Sequence, residues 1–259
     1  MSLPMKLVTW NVNSIRQRLE RLLGVLARHA PDVVCLQETK VADADFPTEA
    51  LRAAGYRSAT LGQKGYNGVA ILAKAPLEAV SAGFRDGGDD AHARFLAASV
   101  GGVRVMCAYV PNGQSVGSEK FAFKLEWCER LRKFLDREAD SAQAVALVGD
   151  FNCAPADLDV HDPLAWQGQV LCSAPERAAL ARILEWGLVD SFRKKYPERQ
   201  AFTWWDYRML GFPKNRGLRI DHVLLTESLY ARLDEVVIDR EERKGKGPSD
   251  HAPVIAVLR

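Results

Sequence analysis

The chain has 259 residues, of which 47% are apolar and 26% charged, and its formal net charge is +2. That balance excludes disorder of the whole chain, and at this length folding buries roughly three quarters of the surface the unfolded chain exposes, so no disulfide or metal staple is required. The longest stretch free of Lys, Arg, Asp and Glu, residues 105–118, is broken by Pro111, Asn112 and Gly113 and falls short of the roughly 18–20 residues of a membrane span.

In chain order, residues 6–12 read as a strand. Residues 14–29 read as an amphipathic helix with Ile15, Leu19, Leu22, Leu23 and Leu26 on one face and Ser14 as its N-cap. Residues 32–36 form the next apolar strand. Strands follow at 69–73, 95–100 and 103–110, the last two joined by Gly101-Gly102, a pair suited to a tight hairpin because glycine tolerates positive φ. Residues 119–138 are helical in pattern, 144–148 a strand, and 175–186 a helix opened by proline in its first turn. Strands at 218–225, 235–239 and 254–258 complete the reading. No repeat, linker or low-complexity tract divides the chain, so residues 1–259 are expected to form one domain preceded by a short extension at 1–4. Strands outnumber helices and hairpins mix with crossovers, which makes the fold class α/β, with mixed sheets flanked by helices.

Five cysteines, Cys35, Cys107, Cys128, Cys153 and Cys172, contain no C-x-x-C pair and read as reduced core residues. The N-terminus lacks the basic and apolar segments of a secretory signal, so the expected location is intracellular, in the cytoplasm, and nucleoid-associated in a prokaryote. Between Arg193 and Arg219 eight basic residues face only Glu198 and Asp206, with Phe202, Trp204, Trp205, Tyr207 and Phe212 interleaved. Such a run is ordinarily solvated surface, but the aromatics favour a polyanion carrying rings or sugars to stack on.

Polar residues gather at the strand ends. Asn11 and Asn13 share a face after the first strand, Gln37-Glu38 follows an apolar run, Tyr109 precedes Pro111-Asn112-Gly113, Asp150 and Asn152 share a face after residues 145–148, Asp221 lies within 218–225, and Asp250-His251 precedes the last strand. One Asp after a strand is ordinarily a turn residue or cap; six such sites together describe a catalytic cleft over sheet edges. Glu38 with an Asn or Asp neighbour is an all-oxygen set suited to a hard cation such as Mg²⁺, and no His or Cys cluster suits zinc. Asp150 is placed to orient or deprotonate a water, Tyr109 to donate to a leaving oxygen, and His251, held by a carboxylate, to stabilise charge on a phosphoryl group. Adjacent strand residues face opposite ways, so of Asp221-His222 only Asp221 is assigned to the cleft and His222 to the structure. His29, His92 and His161 are read as structural or surface residues.

The segments Leu36-Gln37-Glu38-Thr39-Lys40, Gly149-Asp150-Phe151-Asn152, Gly217-Leu218-Arg219-Ile220-Asp221 and Ser249-Asp250-His251-Ala252-Pro253, preceded by Trp10-Asn11-Val12-Asn13, resemble the exonuclease III family of abasic-site DNA repair nucleases. The resemblance runs from about Met5 to the C-terminus, and the tract from Phe202 to Tyr207 resembles the DNA repair branch of the wider superfamily shared with deoxyribonuclease I and inositol phosphate phosphatases. It implies a four-layer α/β sandwich of two packed mixed sheets. It further implies a Mg²⁺ site, with Mn²⁺ as substitute, drawn from Glu38, Asn11, Asp250, Asp150, Asn152 and His251. Asp150 would position the attacking water, Asn152 hold the scissile phosphate, His251 with Asp221 stabilise the pentacovalent phosphate, and Tyr109 assist the leaving group. Asn13 stands where relatives carry a polar residue that is sometimes a carboxylate. The resemblance also implies an abasic-sugar pocket lined by Trp204, Leu218 and Ile220, with Lys40, Arg94, Asn112, Lys120 and Arg216 as phosphate contacts.

The expected function is metal-dependent hydrolysis of the phosphodiester 5′ of an abasic site, leaving a 3′-hydroxyl, with 3′–5′ exonuclease or 3′-phosphodiesterase activity. The partner is double-stranded DNA with abasic sites or 3′ ends, the protein is expected to act as a monomer, and no membrane is involved. A phosphatase for a soluble or lipid phosphate and a catalytically dead DNA-binding module are the alternatives.

Overall fold

The computed structural model describes residues 4–88 and 92–259; residues 1–3 of the expected extension lie outside the described residues. The first half of the chain comprises β1 (Met5–Asn11), α1 (Ile15–His29), β2 (Val33–Gln37), α2 (Thr48–Ala53), β3 (Arg57–Leu61), β4 (Val69–Ala73), β5 (Glu78–Ala82), β6 (Phe95–Val100) and β7 (Val103–Tyr109). The second half comprises α3 (Glu119–Glu138), β8 (Val145–Asp150), α4 (Pro163–Trp166), α5 (Ala174–Leu184), β9 (Leu188–Asp190), α6 (Ser191–Lys195), β10 (Asp221–Thr226), α7 (Glu227–Tyr230), β11 (Leu233–Ile238) and β12 (Val254–Leu258). Two six-stranded sheets result, in the orders β11-β12-β1-β2-β4-β3 and β5-β6-β7-β8-β10-β9.

Alternation along the strands sorts the apolar side chains into layers. Leu7, Val33, Cys35 and Ile71 of the first sheet meet Leu96, Val105, Cys107, Val148 and Val223 of the second in a shared core. The opposite faces are covered by helices: Val8, Trp10 and Val34 pack on Ile15, Leu22 and Val25 of α1. Phe95, Met106 and Leu147 pack on Trp127, Leu131 and Phe134 of α3 and Ile183 of α5. Strands buried on both faces lose the in–out polarity contrast and read as continuous apolar runs, as β2 and β4 do. The result is the expected four-layer sandwich of two mixed sheets flanked by helices. All five cysteines are free and buried, and no helix among the described residues is long and apolar enough to cross a membrane.

Each sheet contains one parallel pair, β1–β2 bridged by α1 and β7–β8 bridged by α3; the remaining pairings are antiparallel. The Gly101-Gly102 turn forms with φ of +56° and +79°, the two positive values a two-residue hairpin of this hand requires.

The structure departs from the sequence reading in identifiable ways. Strands β3, β5 and β9 were not expected, and all three are sheet edges. With one neighbour each and little buried side-chain surface, β3 and β5 carry no apolar alternation to detect. Ser14 does not cap α1 with its side chain. Leu19 is only half-buried, and Arg18 turns inward to donate to the Asn13 and Pro248 carbonyls, each at 2.9 Å. Strand β10 starts at Asp221 rather than 218, because Leu218 pairs with Trp204 and the Thr203 hydroxyl accepts from both Ile220 N and Asp221 N at 3.0 Å.

Candidate active site

The carboxyl ends of the two parallel pairs open into the same cleft, the position where α/β sheets bind ligands. Asn11 ends β1 and Glu38 follows β2; Tyr109 ends β7 and Asp150 ends β8. Register places Tyr109 beside Asp150 and Asp150 beside Asp221, one row across three adjacent strands. The close approach of β8 to β7 depends on Gly149, where φ is +149° and an added Cβ would lie 1.9 Å from the Ala108 carbonyl oxygen. Glu38 and Asn152 leave their strands with φ of +53° and +47°, a turn out of the sheet that aims both into the cleft mouth.

Hydrogen bonds tie these residues together. The Asn11 amide nitrogen donates to Glu38 Oε1 at 2.8 Å and to Asp150 Oδ2 at 2.9 Å, while its oxygen accepts from Asn13 N at 3.0 Å. Asp150 Oδ1 accepts from Asn152 N at 2.9 Å. His251 Nδ1 lies 2.8 Å from Asp221 Oδ2, and its Nε2 faces Asp150 Oδ2 at 3.7 Å. Potential ligand atoms of Glu38, Asp150 and His251 lie within 4.8 Å of one another.

Electrostatics follow from this crowding. Burial opposes the His251 charge, but the Asp221 and Asp150 carboxylates outweigh it and raise the imidazole well above its ordinary value. Burial raises Asp150, as does the Asp221 carboxylate, against the lowering effect of His251. Burial also acts to raise Glu38, yet the bonds from Asn11 and Lys40 bring it below the usual carboxylate value. Tyr109 is raised by burial and by the Glu38 and Asp150 charges, which keeps its hydroxyl protonated; the Arg94 guanidinium lies over its ring at 4.5 Å.

Two carboxylates held this close and bridged by one amide fit a hard divalent cation, which would take the charge that burial disfavours. Glu38 and Asp150 are the residues oriented to hold it. Several of the other expected ligands are already engaged by neighbours. Asn11 presents its amide nitrogen to the carboxylates and so acts as a bridging donor. His251 belongs to the same cluster, its Nε2 3.7 Å from Asp150 Oδ2 and its Nδ1 2.8 Å from Asp221 Oδ2. Asp250 lies outside the cluster: its two oxygens accept from Asn13 Nδ2 at 2.9 Å and Trp204 Nε1 at 3.0 Å. Asn152 is spoken for as well, its oxygen accepting from Asn112 Nδ2 at 3.1 Å and its nitrogen donating to the Val110 carbonyl at 3.0 Å, with one amide hydrogen left.

The expected DNA contacts divide into three groups. Lys40 pairs with Glu38 Oε2 at 2.8 Å and donates to the Asn13 amide oxygen, so its ammonium serves the Glu38 carboxylate. Arg94, Asn112 and Lys120, with His92, Tyr66 and Phe123, line a groove of about 490 Å³ on the Tyr109 side. Trp204 and Arg216, with His161, Trp166 and Met209, line a cavity of about 650 Å³ on the Asp250 side. Leu218 and Ile220 do not open onto that cavity; they are fully buried with Leu171 and Val160, forming a floor against which Trp204 packs. Trp205 is buried and Trp204 half-exposed, as alternation required.

The basic run from Arg193 to Arg219 is not one exposed face. Arg219 is buried and bonds Asp159 and Asp190, both at 2.7 Å, with His222 Nδ1 at 3.0 Å; Arg193 also reaches Asp159, and Lys194 pairs with Glu227. Lys214 and Arg216 have no ion pair among the described residues and remain exposed. His222 is buried behind the site and His29 pairs with Asp239 at 2.8 Å, structural placements both.

Asp190 makes the buried network pH-sensitive. Burial raises its carboxyl, but Arg219 and His222 outweigh burial and bring it down to about 2 from 3.8. A depressed folded value contributes stability that is complete above about pH 4 and lost as the pH falls through about 2, worth about 2 kcal/mol. Melting temperature measured from pH 6 to pH 2 is expected to drop below pH 4, with a shallower acid limb in Asp190→Asn.

Sequence reasoning missed the supports behind the cleft. Ser249 Oγ donates to the Asn11 carbonyl at 2.7 Å and accepts from His251 N at 3.2 Å, tying the loop that carries His251 to the end of β1 directly under the site. Lys124 and Glu176, both fully buried, were also missed. The available signal was Lys124 on the apolar face formed by Phe121, Cys128 and Leu131 of α3, a position where an unpaired charge is untenable.

Opposed carboxylates, a histidine braced by Asp221 and the one amide hydrogen left on Asn152 suit phosphate diesters, and the fold and site together place the protein among the hydrolytic phosphodiesterases. The chain belongs to the Endonuclease/Exonuclease/phosphatase family, whose model matches residues 8–251, and within it to the exonuclease III group of abasic endonucleases. It is 38% identical over 267 residues to exodeoxyribonuclease III of Haemophilus influenzae, covering 98% of this chain and 100% of that protein. Its structure is similar to that of the Neisseria 3′ phosphatase NExo bound to a product DNA hairpin, with a TM-score of 0.96, 41% identity and coverage of 98% of this chain and 99% of that one. It is also similar to an AP endonuclease from Archaeoglobus fulgidus, with a TM-score of 0.95, 38% identity and coverage of 98% and 99%.

Proposed function

We propose that the protein is a single-domain, monomeric DNA repair nuclease. With Mg²⁺, or Mn²⁺ in its place, it hydrolyses the phosphodiester 5′ of an abasic site in double-stranded DNA, leaves a 3′-hydroxyl, and trims 3′ ends. The observation that carries this reading is the meeting of Glu38, Asp150 and His251 within 4.8 Å, with Trp204, which lines the neighbouring cavity, paired to His251 through the backbone.

In this reading Glu38 and Asp150 hold the metal, which when bound supplies charge to polarise the scissile phosphate. Asp150 orients the attacking water through the oxygen it turns toward His251. The imidazolium of His251, kept charged by Asp221, neutralises the pentacovalent phosphate. Asn152 directs its remaining amide hydrogen to a phosphate oxygen, and Tyr109, kept protonated, donates to the leaving oxygen. A deoxyribose lacking its base is extruded at little unstacking cost and enters beside Trp204, with Leu218 and Ile220 as the rigid floor. Exposed Met209 lines the Trp204 cavity, where an apolar wedge helps open a duplex. Arg94, Asn112 and Lys120 on one flank and Arg216 on the other meet the backbone phosphates.

An end-labelled duplex with one abasic site tests the proposal with Mg²⁺ and with EDTA. Metal-dependent nicking 5′ of the lesion is expected, and EDTA should abolish it. Phosphate release from a 3′-phosphate end without nicking would reassign the protein to 3′ end cleaning, the activity named for the Neisseria relative. Phosphate release from inositol substrates would make it a phosphatase, and shifted but uncut DNA a binding module.

A further inference from the structure

Behind the cleft, α3 and α5 bring a buried ion pair to the two loops that the catalytic reading depends on. Lys124 Nζ donates to the Asn112 carbonyl at 3.1 Å, to the Asn152 carbonyl at 2.6 Å and to Glu176 Oε1, which uses all three of its hydrogens. Glu176 Oε1 also accepts from Leu171 N at 2.9 Å, and its Oε2 accepts from Ser173 N at 3.1 Å and from the Ser173 hydroxyl. Both side chains are essentially inaccessible to solvent, at 1% and 0% exposure. The ammonium therefore ends on the two loops whose asparagines interlock at the cleft, and the carboxylate on the loop that carries Leu171, a member of the floor under Trp204.

The attached backbone is unfavourable by itself. Asn152 and Leu171 have φ of +47° and +75°, a region that Asn tolerates and Leu resists. Gly113, next to Asn112, has φ of +92°, and a Cβ there would lie 3.1 Å from Lys124 Cδ. A residue needed only for packing at this helix position would be apolar; a buried charge with two donors assigned to loop carbonyls and the third to Glu176 holds a geometry.

We propose that Lys124 and Glu176 are positioning residues that fix the spacing between the phosphate-holding asparagines and the floor of the lesion pocket. The inference rests on the assignment of Asn152 to the scissile phosphate. Loss of the ammonium releases the two carbonyls, lets Asn152 turn from the cleft and lowers kcat more than it raises KM.

Lys124→Met and the charge-balanced double variant Lys124→Met/Glu176→Gln separate positioning from stability. The single variant buries an uncompensated carboxylate and melts at lower temperature; the double variant regains most of that loss. Both are expected to show kcat on the abasic duplex down by about 100-fold with KM within about threefold, and amide hydrogen exchange in residues 112–113, 151–154 and 170–173 accelerated at least tenfold. If the single variant does not accumulate, the double variant carries the test. Recovery of kcat together with melting temperature would overturn the proposal, and so would unchanged exchange. Wild-type protein assayed in parallel distinguishes the two readings: if it fails to cut, the proposed activity is at fault and exchange alone decides the positioning role.

Discussion

Asp150→Asn is expected to lower turnover on abasic duplex DNA by on the order of 10³-fold or more while duplex binding survives, measured by single-turnover cleavage beside a mobility shift. The size follows from how much converges on this one carboxylate. Oδ1 takes the Asn152 amide at 2.9 Å, and Oδ2 takes Asn11 at 2.9 Å while facing the imidazole at 3.7 Å. Asparagine preserves one acceptor oxygen but turns an NH₂ toward a donor or the imidazolium, and it has no basic lone pair for a water proton. Binding survives because the phosphate contacts proposed for Lys120 and Arg216 lie on the flanks of the cleft. Turnover within tenfold of wild type would remove Asp150 from the mechanism.

Glu38→Gln is expected to raise the Mg²⁺ concentration needed for half-maximal activity by more than about 100-fold, since changes at groups merely supporting a metal ligand already cost 10–100-fold. The substitution is nearly isosteric, and the amide oxygen can keep the Asn11 bond. What it removes is one of two negative charges facing the ion, and it leaves Lys40 without its carboxylate partner at 2.8 Å. Activity titrated against Mg²⁺, with calorimetric metal binding alongside, is expected to show partial recovery at high metal. An unchanged metal requirement would place the ion elsewhere.

Most polar residues of the cleft were legible in the sequence because they follow, end or immediately precede an apolar run, so strand ends could be read locally. Their partners were not, because partnership is set across the fold. Asp250 reads as a cleft carboxylate beside His251, yet Asn13, more than 200 residues earlier, and Trp204 claim its oxygens. Arg219 reads as part of a basic surface, yet Asp159 and Asp190 draw it inside. Central strands announce themselves by apolar runs, whereas β3, β5 and β9 bury too little to leave a pattern. Glu176 illustrates a further limit: three residues after Ser173 it reads as an ordinary helix-capping box, which it is, and nothing nearby points to Lys124 as its second partner.

The insertion of β12 between β1 and β11 governs the order in which the molecule assembles. Met5 pairs with Leu258 and Thr9 with Val254, so the first strand synthesised waits for the last before its second edge is satisfied. Trp10 Nε1 likewise finds its acceptor, the His251 carbonyl, only then. The β6–β7–β8 region, paired locally around α3, has no such delay. A chain made from its N-terminus therefore carries an open edge at β1 until β12 has emerged, a closure of high contact order that is expected to be slow.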